Sequence, residues 1–303
     1  MNSQATEAAR AATIGRARGR PGTRRRRRRK DPFRVFLYVM LALVLLVADL
    51  PLAWIVINAI RPETEIAQYP PTLIPKSLTA EHFRSLFTTY HFGQYLWNSV
   101  MVSVFATLGT LVVGTLGAYA MARFRYRVLG LMGQASLFAY LLPPIIILVP
   151  LTQMLFSGGL GDSRVVLVVL YVSTLLPLAL WILRSYFQGL TVDLEDAAMI
   201  DGCTRFGALR RVVLPQAVPG ILSTAVFTFN AAWSEYLYAA TLLTSNGKLT
   251  ISPSVFLLMG QMGTSSWGLL MAAAVVIVVP VIILFILTQR FLVDGMGAGA
   301  IKG

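Results

Sequence analysis

Long apolar stretches alternate with short polar ones along most of this 303-residue chain. A helix needs about 20 apolar residues to cross a hydrocarbon core of about 30 Å, and the six longest stretches meet that length. They lack the alternation of barrel strands, and backbone groups in lipid must be paired within the segment, so helices are favoured. The predicted spans are residues 35–60, 96–121, 131–156, 165–187, 217–243 and 269–292. The pattern therefore predicts an all-α polytopic membrane protein whose six-helix transmembrane bundle is formed by residues 35–303.

Small residues and prolines recur within the predicted spans. Ala106, Thr110, Gly114 and Ala118 follow one another every four residues along the second span, which places them on one helix face. Another helix can approach such a face closely. In the third span Pro143 and Pro144 each remove a backbone donor and favour a kink.

Composition agrees with this reading and excludes several others. Hydrophobic residues make up 56% of the chain and charged residues only 13%, against about 25% charged residues in an average soluble domain. A soluble globular protein is therefore excluded. The single cysteine, Cys203, rules out a disulfide framework within the chain, and with only His82 and His91 beside it no structural zinc or other metal site is expected.

Most of the net charge of +13 lies in the N-terminal 34 residues. Residues 1–34 have almost no large apolar side chains, so we predict a disordered basic cytoplasmic tail. The run from Arg24 to Lys30 has two readings, nucleic-acid binding or contact with anionic membrane lipids. A basic run just before a membrane span more often fixes orientation and contacts lipid head groups, so no nucleic acid is expected as a partner.

The positive charges also predict the orientation of the spans. With the N-terminus in the cytoplasm, the cytoplasmic segments hold 21 Lys or Arg residues and the external segments hold five. Without the tail the bias is still 9 to 5. Cytoplasmic loops carry an excess of Lys and Arg, so both termini are predicted to be cytoplasmic.

The polar segment between the fourth and fifth spans predicts a helix, a turn and a second helix over residues 193–215. Acidic residues suit a first helical turn, and three stand together here: Asp193, Glu195 and Asp196. Gly202 then breaks the run, and Thr204 can cap a second short helix that ends at Leu214 and Pro215. Phe206, Leu209, Val212 and Val213 would form the apolar stripe of that second helix.

This segment resembles the EAA loop of binding-protein-dependent ABC importer permeases. The resemblance is carried by Asp196-Ala197-Ala198, by Gly202 and by Val212-Val213-Leu214-Pro215 at matching intervals. In that family the first helix docks into a cleft of a separate ATPase subunit. The resemblance therefore implies an ATPase-coupling role for Asp196, Ala197, Ala198, Asp201, Gly202, Leu214 and Pro215. Two positions depart from the commonest pattern: Asp196 replaces Glu and keeps the charge, and Cys203 replaces Ala and stays small.

Further strings are similar to the maltose-type, carbohydrate branch of that family. They are Asn98-Ser99, Ala118-Tyr119-Ala120, Trp233-Ser234-Glu235-Tyr236 and the ending from Gly295 to Gly303. The resemblance implies a sugar or related polyol as substrate, in the inner membrane of a bacterial cell. It implies as partners a homologous second permease, two ATPase subunits and an external solute-binding protein.

The residues themselves indicate that the energy comes from another subunit. The sequence contains no G-x-x-x-x-G-K-[ST] phosphate loop and no cytoplasmic segment long enough for a nucleotide-binding domain. It shows no catalytic constellation of Ser, His and Asp or of Cys and His, so no enzymatic activity is expected in this chain. ATP and Mg are expected in the partner ATPase, and no cofactor is expected here.

Glu235 is an ionisable residue inside the fifth predicted span, where charge is costly and marks a candidate functional site. Asn230, Trp233, Tyr236 and Tyr238 lie close to it in sequence and supply the aromatic and hydrogen-bonding groups that suit a neutral polyol. Two readings remain open: Glu235 lines the substrate pathway with these residues, or it pairs structurally with a neighbouring helix.

Two other functions compete with the importer. An ion-gradient-driven secondary transporter or channel would need a complete pathway in one chain or a homo-oligomer, with coupling acids in the membrane. Only Asp49 and Glu235 are available for that task. A membrane enzyme is disfavoured by the missing catalytic cluster.

Overall fold

The computed structural model describes residues 32–124, 126–262 and 266–300, and it contains helices but no strand within them. The side chains of residues 290–300 also lie outside the described part. The predicted basic tail, apart from its last residues, and the side chains of the C-terminal string from Gly295 therefore fall outside this description. The chain divides into two units, residues 1–51 and residues 52–303.

The first helix, α1 (Pro32–Ala59), crosses from the first unit into the second. Its described side chains from Phe33 to Ala53 are all exposed although most of them are apolar. A helix that is apolar all round is stable in lipid rather than in water. This helix therefore has the properties of a membrane span.

The second unit begins with two short helices, α2 (Glu63–Ile66) and α3 (Glu81–Thr88), and the long helix α4 (Phe92–Arg123). Two helices follow, α5 (Arg127–Tyr140) and α6 (Pro144–Ser157), and then α7 (Arg164–Gly189). The next segment contains α8 (Asp193–Ile200), α9 (Arg205–Ala208), a π-helical turn (Leu209–Val213) and α10 (Leu214–Ser234). The last elements are α11 (Leu237–Leu242), α12 (Ile251–Met262) and α13 (Trp267–Ala300).

Five helices in the described residues are long and apolar enough to cross a membrane, and a sixth span results if the bent pair α5–α6 is taken as one. This number agrees with the predicted bundle. The third predicted span, however, is not a straight helix, because α5 and α6 meet at an angle of 96°. Pro143 and Pro144 lie at this bend, where they cannot donate backbone hydrogen bonds and restrict the preceding residue.

The fifth predicted span also differs from the structure. Its helix ends at Ser234 rather than continuing to residue 243, and Glu235 has an extended backbone with ψ 132°. The short helix α11 follows the break, and the next helix, α12, is apolar but only 12 residues long. The sequence pattern missed it because a stretch of that length is too short to cross a bilayer.

Small residues on α4 form the packing face that their spacing predicts. Ala106, Thr110 and Ala118 are completely buried, and Gly114 packs against Leu183 of α7 and its neighbours. The two helices run in the same direction, since Asn98 and Arg164 meet at their N-terminal ends while Tyr119 and Phe187 meet near their C-terminal ends. α4 and α7 thus form the centre of the second unit.

The loops fall at two ends of this bundle. At the motif end, which comprises residues 123–124, 126–127 and 190–213, Arg123 bonds Glu195 and Arg205 lies over Phe124. At the far end, which comprises residues 60–91, 158–163 and 243–250, Asp162 accepts hydrogen bonds from the backbone nitrogens of Thr244 and Ser245.

An ion pair fastens two loops of the far end. Lys248 donates to the Asp162 carboxylate at 2.8 Å, and the Ser245 hydroxyl donates to it at 2.6 Å. The hydrogen bond from Lys248 and those from Ser245 hold the pKa of the Asp162 carboxyl far below its ordinary value. The carboxylate therefore keeps its charge, and with it the ion pair, at pH values where a free aspartate would begin to be protonated.

Candidate functional site

The first candidate site is the loop at the motif end, and its first helix has an exposed face and a buried face. Exposed residues recur at helical spacing along α8: Asp193, Asp196, Ala197 and Ile200. Ile200 is 86% exposed, so an apolar side chain stands beside the acidic ones on this side of the helix. This face, which we call the α8 face, is available to a partner.

A glycine turn ends α8. The nitrogen of Cys203 donates to the carbonyl of Ala198 at 3.0 Å, and that of Gly202 donates to the carbonyl of Met199 at 3.1 Å. These two bonds define a Schellman motif, in which the residue after the helix takes a left-handed conformation. Gly202 has φ +91°, which suits glycine. Asp201 and Gly202 are both exposed beside the α8 face.

The second helix of the loop begins as the sequence predicts, at Thr204, whose hydroxyl oxygen accepts a hydrogen bond from the Gly207 nitrogen at 3.1 Å. It does not end at Leu214 and Pro215 as predicted. The helical segment continues from Arg205 to Ser234, passing through the π turn just before Pro215. A proline removes one donor, and a change of hydrogen-bond register at the π turn accommodates that loss. The loop is therefore continuous with a membrane span.

The predicted coupling residues are not all in one place. Asp196, Ala197, Ala198, Asp201 and Gly202 lie together on α8 and its turn. Leu214, by contrast, packs against the buried cluster of Phe187, Leu209 and their neighbours, and Pro215 is exposed at the start of α10.

A hollow of about 720 Å³ lies beside the glycine turn. Phe206 lines it and is 67% exposed, rather than facing inward with Leu209 and Val213 as the predicted stripe required. The other lining residues are Asp201, Gly202, Cys203, Thr204, Gly207, Arg210 and Arg211. An exposed aromatic ring next to a polar concavity is typical of a protein docking surface.

Sequence reasoning missed one residue of this loop, Glu195. It was grouped with its acidic neighbours, but it is only 2% exposed and bonds Tyr119 and Arg123 at the end of α4. No local signal in the sequence distinguishes Glu195 from the acids beside it, because its burial depends on Arg123, 72 residues earlier.

The second candidate site is the break between α10 and α11. Glu235 lies in this break, and its carboxylate accepts hydrogen bonds from the backbone nitrogens of Tyr238 at 2.9 Å and Ala239 at 3.2 Å. The hydroxyl of Tyr171 on α7 donates to it at 2.6 Å. Non-helical backbone at membrane depth must find partners within the protein, and Glu235 supplies them. These contacts match the structural reading of Glu235.

The other predicted pathway residues separate into exposed and buried ones. Trp233 is 3% exposed and stacks on Phe229 with ring centroids 5.7 Å apart, and Tyr238 is buried in the cluster around Tyr171. Asn230 and Tyr236 are exposed.

One of these exposed residues, Tyr236, belongs to an aromatic pair. The ring centroids of Tyr236 and of Phe256 on α12 lie 4.7 Å apart, and both side chains are accessible. Ser234 and Asn230 are exposed one helical turn apart on the same face of α10. Sequence reasoning missed Phe256 because α12 itself was missed. The four residues Asn230, Ser234, Tyr236 and Phe256 form what we call the α10–α12 surface.

Comparison with known proteins relates this chain to one family of transporters. Residues 114–297 match the family model described as "Binding-protein-dependent transport system inner membrane component". The chain is 32% identical over 272 residues to the inner membrane ABC transporter permease protein YcjP of Escherichia coli. This match covers 89% of this chain and 97% of that protein. The chain is also 32% identical over 272 residues to the trehalose/maltose transport system permease protein MalG of Thermococcus litoralis, with the same coverage of both chains.

A solved structure has the same fold. It is the crystal structure of a bacterial ABC transporter involved in the import of the acidic polysaccharide alginate. The TM-score is 0.76 at 21% sequence identity, and the match covers 86% of this chain and 96% of the other.

Proposed function

Since this chain belongs to the inner membrane components of binding-protein-dependent transport systems, we propose that it forms half of the translocation pathway for a sugar or related polyol. It is a membrane-spanning permease of the ABC importer class, as its sequence resemblance indicated, and not a secondary transporter or channel. The sugar assignment is supported by the trehalose/maltose permease relative and by the carbohydrate-branch strings of the sequence.

The single observation that supports ATP-driven transport best is the α8 face with its glycine turn. A short helix with Asp196 and Ala197 exposed at one end of a membrane bundle is suited to insertion into a groove of another protein. We propose that the partner is an ATPase subunit, which binds ATP and Mg, and that the complex contains two such subunits. A homologous second permease and an external solute-binding protein complete it.

Orientation is part of the same proposal. The motif end is placed in the cytoplasm of a bacterial cell, together with both termini, because the cytoplasmic segments then carry 21 of the 26 Lys and Arg residues. The far end, with the Asp162 and Lys248 contact, then faces the solute-binding protein.

The energy source can be tested in proteoliposomes that contain the complete complex. Uptake of radiolabelled maltose or trehalose, the first sugars to assay, is expected to require ATP, the ATPase subunits and the solute-binding protein. It should be unaffected by ionophores that collapse ion gradients, because the chain offers few acids for ion coupling. Transport by this chain alone, driven by an ion gradient, would contradict the importer assignment.

Vesicles that contain the permease pair without its ATPases report the orientation. Cys203, the one cysteine of the chain, lies in the turn at the motif end. A membrane-impermeant maleimide is expected to label Cys203 from one side of the membrane only. That side is the one to which ATP must be supplied for uptake by the complete complex. Labelling from the opposite side would invert the topology.

We also propose that the α10–α12 surface contacts the substrate. Aromatic ring faces cover the C–H surfaces of a sugar, while Asn230 and Ser234 can bond its hydroxyls. Trp233, Glu235 and Tyr238 then act behind this surface as its support, since their contacts lie within the helix packing.

Tyr236→Ala is expected to raise the KM for uptake about 10-fold while the complex assembles normally, because one packing contact with a ligand contributes about 1–3 kcal/mol. The measurement is the initial rate of uptake against sugar concentration at saturating solute-binding protein. Phe138→Ala is the matched control, since Phe138 is a 69% exposed aromatic residue on α5. An unchanged KM for Tyr236→Ala, or an equal rise for the control, would remove Tyr236 from the pathway.

A further inference from the structure

The loop helix α8 is fastened to the membrane bundle by one buried side chain. Glu195 is buried, while its neighbours Asp193 and Asp196 are exposed. One oxygen of its carboxylate lies 2.9 Å from Nε of Arg123, and the other accepts a hydrogen bond from the hydroxyl of Tyr119. The side chains of Arg123 and Glu195 are only 7% and 3% exposed. We call these three residues, Tyr119, Arg123 and Glu195, the α8 anchor.

The α8 anchor joins the last turn of α4 to α8, and further contacts join this end of α4 to the chain before and after α8. Arg123 also donates from Nη2 to the carbonyl of Leu190 at 3.3 Å, just before α8 begins. Tyr119 packs edge-on against Phe187 at the end of α7. After the glycine turn, Arg205 lies 5.1 Å from the centre of the Phe124 ring. The end of α4 therefore contacts the chain just before α8, α8 itself and the chain just after the glycine turn.

Burial makes this connection stiff. A buried carboxylate and a buried guanidinium have no water to replace the partner they lose, so separating them leaves uncompensated charge. The hydrogen bond from the Tyr119 hydroxyl holds the second carboxylate oxygen. A charged pair of this kind also has a fixed geometry, whereas apolar packing permits sliding more readily.

α4 carries this connection to the far end of the bundle. Near its N-terminus the Ser99 hydroxyl accepts a hydrogen bond from the nitrogen of Ile251 at 2.7 Å, and Asn98 donates to the carbonyl of Leu249 at 2.9 Å. Ile251 is the first residue of α12, which bears Phe256. α4 thus links the α8 anchor to one half of the Tyr236 and Phe256 pair.

The other half of the pair is reached by a different route. The helical segment from Arg205 runs through α10 to Ser234, two residues before Tyr236. A displacement of the loop therefore reaches Tyr236 through the covalent chain, but it reaches Phe256 through α4 only if α8 and α4 move together. The α8 anchor is the polar contact that couples these two helices.

We propose that Tyr119, Arg123 and Glu195 are positioning residues that transmit the movement of α8 to α4, so that ATP hydrolysis changes the substrate pathway at Tyr236 and Phe256. This inference rests on the proposed function, since it requires an ATPase that moves α8. Without the α8 anchor the ATPase still docks on the α8 face, which Glu195 does not share. Hydrolysis then continues while transport fails.

The test is the number of sugar molecules taken up per ATP hydrolysed by the reconstituted complex. Glu195→Gln keeps the side-chain size but replaces the carboxylate by a neutral amide, so Arg123 loses the buried charge with which it pairs. We expect ATPase subunits to co-purify in normal amount, stimulated ATPase activity to stay within about twofold of wild type, and uptake per ATP to fall about tenfold, which lies within the 5–150-fold range of typical coupling between sites. Tyr119→Phe removes only the hydroxyl and should lower the same ratio by a smaller factor.

Glu65→Gln is the matched control. Glu65 is also a buried carboxylate paired with a buried arginine, Arg61, at 3.4 Å, but it lies at the far end. Its uptake per ATP should equal that of wild type even if the variant is less stable. A ratio that falls equally in Glu65→Gln would show that any lost buried ion pair has this effect and would overturn the proposal.

A wild-type ratio in Glu195→Gln would overturn it as well. If Glu195→Gln does not assemble, Tyr119→Phe decides, and a wild-type ratio in that variant counts against the α8 anchor. Failure of the proposed function looks different, because the unmodified complex would then show no ATP-dependent uptake at all.

Discussion

Replacement of Gly202 by valine is expected to reduce uptake strongly while the chain still inserts into the membrane. Gly202 has φ +91°, and a Cβ atom at this position would meet no other atom within 4 Å. The cost is therefore one of backbone conformation rather than of steric clash. It amounts to about 1–2 kcal/mol for an ordinary residue and more for a β-branched one. The expected response is a changed turn that redirects α8 and weakens ATPase docking, because that turn joins α8 to the helix continuing into the membrane.

Stimulated ATPase activity and uptake of the reconstituted complex would measure this effect. Both should fall at least about tenfold in Gly202→Val, corresponding to a loss of about 1.4 kcal/mol of docking or coupling free energy. Gly202→Asn is the matched control, since asparagine tolerates the left-handed region and should retain most activity. Normal uptake and ATPase activity in an assembled Gly202→Val complex would show that the loop is an ordinary connector.

The spans could be predicted because lipid imposes one strong requirement on the chain. About 20 apolar residues must form a helix in the hydrocarbon core, so α1, α4, α7, α10 and α13 all appear as long apolar runs. The loop at the motif end was predictable for another reason. Its acidic first turn, Gly202 and the capping Thr204 each act on their own neighbours in sequence, and such local rules can be read without a structure.

The features that were missed depend on contacts between distant residues. The apolar run continues to residue 243, but the helix ends at Ser234 because Glu235 caps α11 and bonds Tyr171, 64 residues earlier. Likewise nothing local distinguishes Glu195 from the acids beside it. Its burial is determined by Arg123, which lies 72 residues away at the end of α4.

The pairing of Glu235 with Tyr171 leads to the second large effect. Glu235→Ala removes the acceptor of three hydrogen bonds, from the Tyr171 hydroxyl and from the backbone nitrogens of Tyr238 and Ala239. The Tyr171 side chain is only 1% exposed, so its hydroxyl would be left buried without this partner. Each buried polar group left unsatisfied costs about 1–3 kcal/mol. We therefore expect Glu235→Ala to lower the unfolding temperature of the purified complex by several degrees and to reduce uptake.

A double-mutant cycle separates this structural role from a direct role in the pathway. Tyr171→Phe removes the buried hydroxyl together with its need for a partner, so the Glu235→Ala, Tyr171→Phe double variant should regain about 1–2 kcal/mol of the stability lost in Glu235→Ala. Glu235→Gln keeps one carbonyl acceptor and should be milder than Glu235→Ala in both stability and uptake. If instead Glu235→Ala unfolds at the wild-type temperature but loses uptake, the carboxylate acts on the substrate. In that case the cap at α11 must be satisfied by water in the pathway, and Glu235 belongs with Tyr236 and Phe256 on the surface that the sugar touches.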